Sequence, residues 1–252
     1  MHHSSYKTTL KFLDLYNIKK NIILEIGSKD VGDSNTLSNF RGHIKKIDKY
    51  IGIDLTAGKN VDIIQKDPYK IPIDDKSIDI VLSTSVFEHC EFFWLTTNEI
   101  FRVLKDDGLF YFNAPSNGAY HKYPVDCYRF YPDSANAIKK WGIRSGYKDL
   151  ICLESFTLKK SGSIWNDYNA VFLKNKKYIY NYPKRIIDNQ TDFYNAYKND
   201  NFENCINFQM YTEDQRLRGL LSLLYFRFSE LFTLKFFHEI IIHIKRFFKY
   251  KI

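Results

Sequence analysis

Three carboxylates stand within or just past short apolar runs: Glu25 in Ile22-Ile23-Leu24-Glu25-Ile26-Gly27-Ser28, Asp54 closing Tyr50-Ile51-Gly52-Ile53-Asp54, and Asp67 in Gln65-Lys66-Asp67-Pro68. A buried-strand run that ends in a glycine turn, followed by a second strand tipped with an acid, suits an adenosine-containing ligand, because the carboxylate accepts hydrogen bonds from ribose hydroxyls. A different chemistry is on offer further along, where Glu88-His89 precede His121, Asp126 and Arg129. A neutral imidazole takes a proton, a carboxylate orients the ring, and a guanidinium holds an anion.

These residues need a scaffold that brings strand ends together. Apolar runs predict strands near residues 21–26, 49–54, 61–65, 78–83, 108–113, 150–158 and 167–173. Helical spacing predicts helices over 6–18, 94–105 and 133–141. Strands alternating with helices imply a parallel sheet covered on both faces, with the loops after its strands gathered at one carboxyl edge. The link Lys159-Lys160-Ser161-Gly162-Ser163 is too short for a helical crossover, so the last two strands are expected to form an antiparallel hairpin at the sheet edge. After Lys174 the chain turns to Tyr, Asn and Lys with little periodicity until about Asn207, which reads as a surface excursion. From Thr212 to Tyr250 it becomes helical and amphipathic, with Leu217, Leu220, Leu221, Leu224, Phe228 and Leu231 along one side. Its later part, rich in Phe, Ile, Lys and Arg, suits packing on the core, a dimer interface or a membrane surface, the first two ahead of the third.

The motifs in order, Glu25-Ile26-Gly27-Ser28, Gly52-Ile53-Asp54, Gln65-Lys66-Asp67, Asp79-Ile80-Val81-Leu82-Ser83 and Glu99-Ile100-Phe101-Arg102-Val103-Leu104-Lys105-Asp106-Asp107-Gly108, resemble those of class I S-adenosylmethionine-dependent methyltransferases. The resemblance spans about residues 20–174 and leaves 175–252 as an extension, largely helical from about 212. It implies a Rossmann-like, doubly wound, mostly parallel seven-stranded sheet with an antiparallel terminal hairpin. It further implies that Gly27 and Ser28 let backbone approach the donor, and that Glu25 organises its methionine ammonium. Asp54 would take the ribose diol, Asp67 the adenine amino group, Leu55 and Pro68 the ring faces, and Ser83 and Ser85 the methyl end. Taken singly, Gly27 reads as a turn glycine and Asp54 and Asp67 as caps; in this order they read as a site. The loop departs from the family in carrying Lys29 and Val31 where further glycines usually stand, with the next glycine at Gly32. A Gly-Ser-x-Asp-Val pattern is similar to that of methyltransferases from bacterial surface-polysaccharide gene clusters.

The acceptor residues implied are His89, His121, Asp126 and Arg129, which lie in the loops after the fourth and fifth strands. His89 or His121 would take a hydroxyl proton, Asp126 orient the histidine and Arg129 hold an anionic acceptor; equally open are a supporting or capping His89 and an Asp126–Arg129 salt bridge that pins the loop. Quinone-pathway and small-RNA methyltransferases carry Glu-x-x-Glu-His at the first of these loops. Here Ser85 replaces the first glutamate, removing an anionic ligand and arguing against a bound divalent metal, for which Glu88, His89 and His121 would be the ligands.

Composition narrows the partners. Thirty-seven Lys and Arg against 29 Asp and Glu give a net charge of +8, which favours anionic partners without naming one. The basic residues are dispersed and no RNA-binding motif interleaves them, which argues against nucleic acid as substrate. A small-molecule or glycan-precursor acceptor fits better; the resemblance to polysaccharide-cluster enzymes implies methylation of a sugar hydroxyl or a phosphoryl-type oxygen in capsule or lipopolysaccharide synthesis, with a non-catalytic S-adenosylmethionine-binding scaffold as an alternative. Cys90, Cys127, Cys152 and Cys205 are far apart, so neither a zinc site nor a disulfide framework is expected. No secretion signal or membrane span is read, so the expected location is the cytoplasm, including the inner membrane face.

Overall fold

A computed structural model describes residues 3–16, 22–30, 40–42, 49–160, 165–231 and 240–246. Val31 and Gly32, the departures in the glycine loop, lie outside the described residues. The elements in chain order are α1 (His3–Tyr16), β1 (Ile22–Ile26), β2 (Lys49–Asp54), β3 (Ile63–Ile64), β4 (Ile78–Thr84), α2 (Phe93–Val103), β5 (Leu104–Pro115) and α3 (Ser134–Arg144). Then come β6 (Ile151–Leu158), β7 (Asp167–Leu173), β8 (Phe193–Lys198), β9 (Asn201–Ile206) and α4 (Glu213–Leu231).

The strands form one nine-stranded sheet in the order β3-β2-β1-β4-β5-β7-β6-β8-β9. The first five are parallel to one another, and β7, β6, β8 and β9 pair antiparallel. Period-two alternation sorts side chains between the two faces. Phe110, Phe112, Ala170 and Phe172 pack with Ile100, Phe101 and Ile138 of α2 and α3, whereas Leu109, Tyr111, Val171 and Leu173 pack with Phe12, Leu13 and Tyr16 of α1. Helix α2 gives way directly to β5 at Leu104, so Lys105–Gly108 bulge between the Ile78–Leu104 and Ile80–Leu109 pairings. The expected helix over 94–105 therefore ends two residues early.

Two expectations change. The sheet has nine strands where seven were expected, and the β6–β7 hairpin is interior because β7 inserts beside β5 and leaves β6 to pair with β8. The supposed surface excursion supplies β8 and β9, joined by Asn199-Asp200, both with positive φ (55° and 62°). That is the tight two-residue hairpin turn that Asn and Asp tolerate because their short polar side chains accept left-handed backbone. A further positive φ at Asn195 and two register shifts break the alternation that would have marked these strands. The chain divides into two compact units, Met1–Gln209 and Met210–Ile252, so the expected boundary after residue 174 falls inside the first. In the second unit α4 is helical from Glu213, within the expected amphipathic stretch. No helix among the described residues is long and apolar enough to cross a membrane.

Candidate active site

All the parallel strands end on one edge, and the site is built from the turns and loops that leave those ends. After β1, Gly27 has φ +68°, a conformation that glycine adopts without strain, and a Cβ there would meet Val86 at 2.5 Å. Ser28 is buried, its N–H donating to Ile53 O (3.1 Å) and its hydroxyl to Asn60 O (3.2 Å). Ser28 thus locks the β1 turn to the end of β2. Asp54, at the tip of β2, accepts from Lys29 N through Oδ2 (3.1 Å) and from Thr56 N through Oδ1 (3.2 Å). Asp67 accepts from Tyr69 N (2.9 Å). These are turn contacts of the kind Asp makes with backbone two residues on, and each carboxylate oxygen keeps a further lone pair. Asp67 and Pro68 are exposed, and Leu55 is 49% exposed beside Asp54 in the chain. An apolar side chain held in water at a strand end is the surface an adenine ring would cover.

Glu25 differs from the other acids. It is 4% exposed and accepts from the Tyr50 hydroxyl (2.8 Å), and burial lifts its carboxyl to about 8. Its place is under the β1 turn, bound to β2.

Past β4 the backbone is unusual. Ser85 has φ +54°, costly for a residue with a Cβ by roughly 1–3 kcal/mol, and its N–H donates to Asn113 O (2.9 Å) on β5. Ser83, fully buried, has a hydroxyl with no hydrogen-bond partner. A 3₁₀ turn over Phe87–His89 then presents Glu88 and His89. His89 Nδ1 lies 2.5 Å from Val125 O, which assigns the proton to Nδ1 and leaves Nε2 as a free acceptor, 3.8 Å from Glu88 Oε1. Burial, its leading cause, lowers the His89 pKa and favours the neutral ring. Glu88 is 1% exposed, its Oε2 has no partner, and burial raises its carboxyl to about 8.

The loop from Asn117 to Phe130 brings His121 beside His89, with ring centroids 4.9 Å apart and nearly perpendicular planes. Asp126 and Arg129 brace this loop. Arg129 donates to both Asp126 oxygens (2.6 and 2.9 Å), to Tyr128 O (2.7 Å) and to Ala119 O (2.8 Å), and Asp126 Oδ2 also accepts from His121 N (2.7 Å). Hydrogen bonds from Arg129, the largest influence, hold the Asp126 carboxyl down to about 2. Trp165 closes one side, within reach of the His121 ring (4.9 Å) and the Arg129 guanidinium (5.7 Å). Gly118, at φ +107°, is required there, since a Cβ would fall 1.9 Å from that indole.

Sequence reasoning missed Asp167. It opens β7, and because β7 runs antiparallel to β5 its first residue faces Pro115 at the same carboxyl edge. It is 1% exposed, accepts from Ser4 Oγ of α1 (2.5 Å) through Oδ2, and has no partner at Oδ1. Next to it Ser5 donates to Asn113 Oδ1 (2.5 Å) and Asn113 to Asn169 Oδ1 (2.8 Å). The signal was available: the strand at 167–173 was legible, and a short link reverses its direction.

Residues 36–112 match the family model described as a methyltransferase domain. The chain is similar in structure to the Burkholderia thailandensis 1,6-didemethyltoxoflavin-N1-methyltransferase with bound 1,6-didemethyltoxoflavin and S-adenosylhomocysteine. That match has 10% identity and a TM-score of 0.50, covering 69% of this chain and 79% of the other. It is similar also to a chain of the Haloferax volcanii complex that contains the Trm112 methyltransferase activator, at 15% identity and TM-score 0.50, covering 69% and 90%. A SAM dependent methyltransferase from Aquifex aeolicus matches at 14% identity and TM-score 0.43, covering 69% and 98%. No curated protein sequence matches the chain. The matched domain makes this a methyltransferase, and its fold is shared with the two structures at TM-score 0.50. The residues present would fit S-adenosylmethionine: a glycine turn with no room for a Cβ, a carboxylate at the tip of β2, and the exposed Leu55 and Pro68 next in the chain to Asp54 and Asp67.

Proposed function

We propose that the enzyme methylates an oxygen of a small or glycan-linked acceptor in capsule or lipopolysaccharide synthesis. Asp54 would hold the ribose, Asp67 the adenine amino group, Leu55 and Pro68 the ring, and Gly27 and Ser28 the backbone turn beneath the methionine end, with Ser83 and Ser85 nearest the methyl. When bound, S-adenosylmethionine supplies a methyl group on a positively charged sulfur. The protein's own work is to orient the acceptor and receive its proton. The observation that carries this reading is the pinned tautomer of His89: with Nδ1 on Val125 O, Nε2 is left as an acceptor, on a ring packed edge-on to His121. A base so placed contributes on the order of 10²- to 10⁴-fold. Asp126 and Arg129 act by holding the loop that carries His121. The work is placed in the cytoplasm, with residues 212–250 as the contact to a second subunit or to the inner membrane face.

The test is methyl transfer from labelled S-adenosylmethionine to extracts of polysaccharide precursors, with linkage analysis of the product. Label on a hydroxyl or phosphoryl oxygen is expected; label confined to nitrogen or carbon would refute the reading. A second reading, a metal-assisted O-methyltransferase, has one observation in its favour: ligand atoms of Glu88, His89 and His121 lie within 4.8 Å of one another. Turnover that collapses in chelator and returns with Mn²⁺ or Zn²⁺ would select it; turnover indifferent to chelator would remove it.

A further inference from the structure

Resting on the O-methyltransferase reading, we infer that the acceptor is an uncharged, hydroxyl-bearing molecule, and that Asp167 contacts it by accepting a hydrogen bond at Oδ1.

Arg129, the cation that sequence places nearest an acceptor, is not available to an anion. Its charge is matched by a bidentate carboxylate, and its terminal nitrogens already donate to Asp126, Tyr128 O and Ala119 O. Lys122 is exposed to solvent, where water screens it.

The buried atoms left without partners at this edge make the complementary statement. Glu88 Oε2 and Asp167 Oδ1 belong to carboxyls that are each 1% exposed, and Ser83 Oγ can accept or donate. Arg129 Nε is the nitrogen among them, and it sits inside the loop brace. Backbone contacts tie these groups to one loop: Glu88 O accepts from Cys127 N (2.7 Å), and Pro115 O, opposite Asp167 in the sheet, accepts from Phe130 N (2.9 Å). Buried polar groups in folded proteins are almost always satisfied, so Asp167 Oδ1, an orphaned carboxyl oxygen at this edge, asks for a ligand that donates. A sugar hydroxyl does so. A phosphoryl or carboxylate oxygen does not, and it would add negative charge beside two buried carboxyls.

The experiment uses the full chain saturated with S-adenosylhomocysteine, titrated with methyl α-glycosides of common hexoses and with the corresponding hexose 6-phosphates, read by saturation-transfer NMR. At least one neutral glycoside is expected to bind, and its phosphate at least tenfold more weakly. Asp167→Ala should weaken the neutral ligand about tenfold while S-adenosylhomocysteine affinity and the thermal transition stay near wild type. Equal or tighter binding of the phosphates overturns the inference, as does binding of neither class or an unchanged glycoside affinity in the variant. If Asp167→Ala does not fold, the wild-type comparison of neutral and phosphorylated ligands decides alone. Failure of S-adenosylhomocysteine to bind would instead strike the methyltransferase reading itself, which separates the two.

Discussion

Asp54 and Asp67 lie at open strand ends and are bonded by the N–H groups of their own turns, whereas Glu88 and Asp167 are buried with an oxygen each unpartnered. The first arrangement is comfortable without ligand, because water serves the remaining lone pairs. The second is not, because burying a polar group without a partner costs about 1–3 kcal/mol. On the proposed reading, the donor half of the edge is a surface for adenosine to cover. The acceptor half is then a mould whose polar atoms are satisfied when substrate arrives. Substitutions on the donor half should change affinity and leave stability alone, and those on the acceptor half should change turnover, stability or both.

The largest effect is expected at His89. His89→Ala should lower kcat about 100-fold or more, with S-adenosylhomocysteine affinity by calorimetry within about twofold of wild type. A kcat near wild type would move the proton to another group and reduce the acceptor half to shape alone. Arg129→Ala ranks second. It leaves Asp126, whose side chain is 2% exposed, without its bidentate partner, and removing one member of such a pair costs about 3–5 kcal/mol when fully buried. With Arg129 19% exposed, the lower end, about 3 kcal/mol, is expected as a loss in denaturant stability. Arg129→Lys should recover little, because a lysine cannot span both oxygens. Stability unchanged in both variants would show that the loop is held by other means.

Asp54→Ala probes the opposite half. Losing a charged acceptor for the ribose should weaken S-adenosylhomocysteine binding about 10- to 100-fold, with a thermal transition near wild type, since Asp54 bonds are to turn backbone near solvent. A large drop in stability with affinity preserved would invert the comparison between the halves.

How far this contrast could be read from sequence depends on where its residues lie in the chain. The donor residues Gly27, Asp54 and Asp67 each close a strand or come just after one, so local pattern alone places them. His89 and His121 could be assigned to one edge for the same reason, although their 4.9 Å approach depends on a loop braced by Asp126 and Arg129. Asp167 is placed at this edge by the reversed strand, but its partner Ser4 comes from the far end of the chain, which no local pattern shows. Strands β8 and β9 were hidden for a different reason. Left-handed residues at Asn195, Asn199 and Asp200 reset the alternation, and Asn- and Lys-rich composition resembles loop. The Asn-Asp pair was nevertheless a hairpin turn in plain view.

Glu25 gives the sharpest prediction, because it sits on the donor half and is built like the acceptor half. Burial raises its carboxyl from 4.5 to about 8, with the Tyr50 hydrogen bond opposing the rise. The folded protein therefore keeps the proton over a range in which the unfolded chain has lost it. Stability contributed by this group is fully present below about 4.5 and declines as pH rises toward 8, because the folded state binds the extra proton throughout that window. Glu25→Gln keeps the shape and an acceptor for Tyr50 but has nothing to ionise. The variant should match wild type in chemical denaturation near pH 4.5 and exceed it increasingly toward pH 8. If the two curves run parallel, Glu25 is charged in the folded protein, and it then belongs with Asp54 as a carboxylate available to the cofactor.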